Sequence, residues 1–147
     1  MSRRLDVLKA LKAMVQTALP GATVKGLDAD AAKPDRIPAA GGLVIIRSGD
    51  PGPATSDLSP RAYNYEHAIP LEISAYQSSS RTTSEVVDDM LTQIGAAIAA
   101  DRTLGGLCFW LDAEAPAIDD VTADGAPAGA GADLVITATY VTSNPLE

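Results

Sequence analysis

Residues 63–76 read Tyr63-Asn64-Tyr65-Glu66-His67-Ala68-Ile69-Pro70-Leu71-Glu72-Ile73-Ser74-Ala75-Tyr76. Tyr63, Tyr65, His67, Ile69, Leu71, Ile73 and Ala75 project to one side of an extended chain. Asn64, Glu66, Ala68, Pro70, Glu72, Ser74 and Tyr76 project to the other. This period of two predicts a long β-strand with one face in the core and the other at least partly wet. Pro70 lacks a ladder donor and therefore marks an edge, a bulge or a break in the strand. A strand this long is also positioned to reach past its own core and touch a neighbour.

On the N-terminal side, Leu43-Val44-Ile45-Ile46-Arg47 is β-branched, bounded by glycines, and reads as a second strand. The connection from Ser48 through Pro51, Pro53 and Pro60 to about Arg61 reads as a substantial exposed loop. Thr23-Val24-Lys25 reads as a short strand ahead of an Asp-, Ala- and Pro-containing stretch that runs to Gly41-Gly42. Between residues 3 and 19, Leu5, Leu8, Leu11, Val15 and Leu19 recur at spacings of three and four beside Met14, and Pro20-Gly21 closes that helix. Its other face carries Arg3, Lys9 and Lys12, but the stripe lacks the aromatic anchors of a membrane-surface helix. Packing on a sheet is the better reading.

On the C-terminal side, Thr82-Thr83-Ser84-Glu85 forms a capping-box pattern before a helix whose apolar face is Val86, Val87, Met90, Leu91, Ile94, Ala97 and Ile98 and which ends near Ala100. Gly105-Gly106 permits a tight approach before Leu107–Leu111, which reads as a buried strand with Cys108, Phe109 and Trp110 inside it. Residues 113–132 are rich in Ala, Asp, Pro and Gly; Ile118 and Val121 are expected to anchor part of this excursion, and Gly125–Gly131 reads as its flexible portion. Leu134 to Val141 alternates with β-formers on both faces, the pattern of a well-covered strand. The expected fold is α+β: a single mixed β-sheet with two main α-helices packed on one face and long Pro/Gly/Ala-rich loops, in one domain spanning residues 1–147.

With 46% hydrophobic but only 4% aromatic residues, the core must come from Leu, Ile, Val, Met and Ala. A formal charge of −8 opposes a general binder of phosphate backbones. The charge is unevenly spread. Arg3, Arg4, Lys9, Lys12 and Lys25 stand against Asp6 alone near the start, whereas after Arg102 there is no lysine or arginine beside Asp112, Glu114, Asp119, Asp120, Asp124, Asp133 and Glu147. One basic and one acidic end suit head-to-tail pairing of copies. The opening Met1-Ser2-Arg3-Arg4 leads into an amphipathic pattern, so neither a signal peptide nor a membrane span is expected and the plain reading is cytoplasmic.

Residues that carry chemistry are sparse. His67 is the only histidine and sits among apolar strand neighbours, a context of packing or interface more than of acid–base duty, although its titration would couple association to pH. Ser74, Ser78, Ser79 and Ser80 lack a nucleophile-elbow context. Asp119, Asp120 and Asp124 offer oxygen ligands for adventitious Mg2+ or Ca2+ but lack an EF-hand order, and read as solvated turn carboxylates. Glu66 and Glu72 lie six residues apart on one strand face, about 20 Å, too far for a glycosidase pair. Gly41-Gly42 and Gly105-Gly106 match neither a P-loop nor a dinucleotide fingerprint. No catalytic residue, metal or cofactor is expected, and Cys108 is expected to be an inert core thiol.

The order of elements resembles the tail terminator, or minor tail protein U-like, family of tailed phages and gene transfer agents. The resemblance rests on the amphipathic first helix, Tyr63-Asn64-Tyr65-Glu66-His67 leading into Ile69-Pro70-Leu71-Glu72-Ile73, Ala100-Asp101-Arg102-Thr103-Leu104-Gly105-Gly106-Leu107 after the second helix, and the final Thr139-Tyr140-Val141-Thr142. It implies a ring, commonly of six copies, that caps the head-proximal end of the tail tube, stops its polymerisation and offers a surface to head-completion or neck proteins. The partners implied are the chain itself, the tail tube protein and a head-completion protein, with DNA passing through the ring without specific binding and no membrane. The particle forms in the host cytoplasm on this reading. The residues expected at such contacts are Arg3, Arg4, Lys9, Lys12, Tyr63, Tyr65, Glu66, Glu72, Asp119 and Asp120. The alternatives are a neck or head-completion connector and, further off, a small cellular enzyme.

Overall fold

The computed structural model describes residues 2–27, 42–76, 81–121 and 129–147, without the side chains of Tyr76, Asp120 and Val121. The elements in chain order are α1 (Arg3–Ala18), β1 (Thr23–Lys25), β2 (Leu43–Ile46), β3 (Thr55–Leu58), β4 (Arg61–Tyr76), α2 (Thr83–Ala100), β5 (Trp110–Ala113), β6 (Ala117–Val121) and β7 (Gly129–Thr142). The stretch before Gly41-Gly42, Ser78–Ser80, Asp124 and most of the Gly/Ala run at 125–131 lie outside the described residues.

The alternation in residues 63–75 produces the predicted strand. Tyr65, His67, Ile69, Leu71, Ile73 and Ala75 are buried, while Glu66 and Ala68 are exposed. β4 pairs antiparallel with β7 from Tyr63↔Thr142 to Tyr76↔Gly129, and this two-stranded ribbon is the spine of the sheet. Both outer sides of the ribbon are shared between two short strands. β3 pairs with Arg61–Asn64 and β2 with Leu71–Ser74, while β5 pairs with Ile136–Thr139 and β6 with Gly129–Asp133. β1 adds to β2 in parallel, which makes the sheet mixed, with main order β1-β2-β4-β7-β5.

Pro70 is accommodated without breaking β4. Its carbonyl accepts from Arg47 N at 2.9 Å, and its imide nitrogen faces the interval where pairing passes from β3 to β2. The expected break does not occur: β4 runs through Pro70 as one strand, with Pro70 opposite Val135 of β7. In the same interval Gly49 has φ +65° and lies so close to Ala68 O that an added Cβ would collide with it.

The two helices cover one face. α2 lies over β4, β7 and β5, and α1 lies beside α2 toward β1. Val7, Leu8, Leu11 and Val15 of α1 meet Val87, Met90, Ile94 and Ile98 of α2 above the buried ribbon residues. Each fully buried aliphatic side chain of this layer contributes about 1.5–3 kcal/mol. Leu91 and Val86 are half-buried at its margin, as is Leu5, whereas Val7 is fully enclosed although it stands off the predicted stripe. The capping box of α2 is complete, with Thr82 Oγ1 accepting from Glu85 N and Glu85 Oε2 accepting from Thr82 N.

Four expectations are corrected. Phe109 and Trp110 are not in a buried strand: they are 67% and 51% exposed, because β5 lies at the rim of the sheet with strand pairing on one side only. The Ser48–Arg61 connection contains β3, for which β4 supplies a ready-made partner edge. Part of the 113–132 excursion is likewise ordered, with residues 117–121 as β6 and β7 starting at Gly129, while Ile118 is 57% exposed and anchors nothing. Gly105 and Gly106 serve the turn through φ of +68° and +95°, with open space where a Cβ would stand, and no close approach is made there.

Candidate interaction surfaces

His67 is fully buried and doubly bonded. Its Nε2 lies 2.6 Å from Ser48 O and its Nδ1 3.1 Å from Tyr140 Oη. A carbonyl only accepts, so Nε2 carries the proton, and Nδ1 accepts from the tyrosine hydroxyl. Burial lowers the His67 pKa from its ordinary value of 6.5, with Arg4 acting in the same direction and the Ser48 carbonyl and Asp50 opposing. Burial also pushes Tyr140 up to about 12. The lowered pKa favours the neutral ring, whose two hydrogen bonds tie the loop after β2 to the β4–β7 ribbon. Cys108 is buried beside Arg102 O, and burial first, then Asp101, raises its thiol away from the reactive form.

The expected contact residues fall into separate groups. Arg3 and Arg4 are exposed in the first turn of α1, where the helix dipole disfavours cations by about 0.3–1 kcal/mol each, so helix stability does not account for them. Lys12 Nζ donates to Gly26 O at 2.9 Å, which sets that side of α1 beside the end of β1, and Lys9 lies one turn earlier on the same side. Tyr63 is half-buried, and Tyr65 is in the core with its ring centroid 5.8 Å from that of Tyr140. Glu66 is exposed on the sheet face away from the helices, and Glu72 on that face pairs with Arg47 at 2.9 Å. Asp119 is exposed on β6, and Asp120 follows it opposite Ala130.

Sequence reasoning missed an exposed aromatic pair. Phe109 and Trp110 straddle the rim of the sheet, since alternate residues point to opposite faces. The Arg102 guanidinium lies 4.7 Å over the Trp110 ring, donates to Leu111 O at 3.0 Å and reaches Asp112 at 3.4 Å. Glu114 and Asp119 are exposed along the same rim. At the foot of the ribbon, Arg3, Asp6, Arg61, Thr142 and Glu147 line an open cleft of mixed charge. The β3–β4 hairpin at this end exposes every residue of β3, with Leu58 at 81%.

Among the described residues, no group of three or more His, Cys, Asp or Glu side chains is placed to hold a metal ion. No helix there is long and apolar enough to cross a membrane. Comparison with protein-family models and with curated proteins gives no match. The chain is an α+β protein built on one mixed sheet.

Proposed function

We propose that this chain is a structural subunit of a ring that caps the head-proximal end of a phage or gene-transfer-agent tail tube, ends its polymerisation and presents the surface for head joining. The observation that carries the reading is the unlikeness of the two sides of the sheet: a side with Lys9, Lys12 and Lys25, and a side with Phe109, Trp110, Glu114 and Asp119. Unlike sides make heterologous contacts, and a heterologous contact with the right rotation closes into a ring. The resemblance in element order to tail terminators supplies the identity of the ring, six copies included.

The physical demand on such a protein is asymmetry along the ring axis. A tube built by stacking recreates its own docking surface, so a terminator must match that surface on one side without reproducing it on the other. The exposed β3–β4 hairpin and mixed-charge cleft at the foot of the ribbon differ from the opposite end, where α1 leads into β1. That difference suits capping.

Particles assembled without the protein test this function. The expected result is tail tubes that are overlong or unjoined to heads, and purified protein added before overgrowth restores joinable ends. Tails of uniform length that still join heads in its absence would contradict the assignment.

A further inference from the structure

The only phenylalanine and the only tryptophan of an aromatic-poor chain stand next to each other in the open. The core beneath them is filled mainly by aliphatic side chains with Tyr65 and Tyr140, and neither Phe109 nor Trp110 belongs to it. Large aromatic side chains and arginine are the residue types that dominate association energies when they are fully desolvated by a partner. Arg102 is already held in place by its stack on Trp110 and its bond to Leu111 O, which lowers the entropy lost when a partner covers it.

The charges around this group indicate the occupant. Asp112, Glu114 and Asp119 are exposed along β5, β6 and their junction. Two such rims facing each other would repel, as would the pairing of this rim with another acidic protein. A complementary surface is present on this same molecule at the far side of the sheet: Lys25 on β1, with Lys9 on the side of α1 that Lys12 turns toward β1. The two sides lie at opposite ends of the strand order β1-β2-β4-β7-β5, so one chain cannot bring them together, while two chains side by side can.

We propose that the Phe109–Trp110 rim, held by Arg102 and flanked by Glu114 and Asp119, docks against the Lys9–Lys25 side of a second copy of this chain. The inference rests on the ring reading and deepens it by naming both halves of the subunit contact. Phe109 and Trp110 supply the desolvated anchor, and the charges select the heterologous arrangement over the like-with-like one.

Sedimentation and native mass spectrometry of the full chain at low salt, and imaging of tube ends, test it with three variants. Trp110→Ala should weaken self-association by about 30-fold while circular dichroism shows an unchanged fold. Glu114→Lys with Asp119→Lys should weaken it as well, and adding Lys9→Glu and Lys25→Glu to that pair should restore it, because the attraction is rebuilt with its signs exchanged. Unchanged association of the Trp110→Ala and charge-reversed proteins would overturn the proposed contact and leave the ring reading standing. Wild-type protein that self-associates neither in solution nor on tube ends would overturn both.

Discussion

His67 shows how one residue acquires a role that its neighbours in sequence do not reveal. The alternation of β4 is enough to place it in the core, but its partners Ser48 and Tyr140 are 19 and 73 residues away. Its depressed pKa has a definite sign. The folded state binds the proton less readily than the unfolded state, so the contribution of His67 is complete above about pH 6.5 and is lost as pH falls from there through the folded pKa. Because no other histidine is present, unfolding free energy should fall as pH drops below about 6.5. His67→Gln keeps a donor toward Ser48 O and should flatten that slope. An equal slope in the variant would assign the pH dependence to another group.

At the scale of elements, the parts that are locally determined were legible and the rims were not. The period-two run of β4, the apolar stripes of α1 and α2 and the Thr82–Glu85 capping box all carry their signal within a few residues. β3 and β6, Thr-Ser-Asp-Leu and Ala-Ile-Asp-Asp-Val, have weak strand patterns and form because β4 and β7 are long enough to leave unpaired edge beside β2 and β5. Phe109 and Trp110 mislead for the same reason: an apolar run does not say whether the strand will be central or last in the sheet. Burial therefore has to decide mutational cost. Ile94→Ala, at 2% exposure, should cost about 2–5 kcal/mol, and the half-buried Leu91→Ala about half as much. Thr82→Ala should cost about 1 kcal/mol through the lost cap of α2. Gly49→Ala should destabilise by more than about 1 kcal/mol, since the added Cβ meets Ala68 O at a positive φ. Chemical denaturation midpoints with unchanged slopes check all four; equal losses at Ile94 and Leu91 would contradict the placement of the helical layer.

The whole molecule is a sheet with two dissimilar sides, Lys25 of β1 at one and Phe109 and Trp110 at the other, and with the exposed β3–β4 hairpin at one end. The charge asymmetry was visible in the chain, because its basic and acidic residues are segregated in sequence. Their separation across the sheet was not, because it depends on the order in which strands pair. In the proposed ring, the dissimilar sides would join copies laterally and the dissimilar ends would face two different neighbours, which is what ending a tube and receiving a head require. The most direct measurement is electron cryomicroscopy of isolated tails carrying this protein with a label at its C-terminus. If the proposed function holds, a single closed ring of the labelled chain, six copies by the family resemblance, stands at the head-proximal end and nowhere else along the tube. Label repeated along the tube, or head-proximal ends that are complete and joinable without it, would contradict that claim.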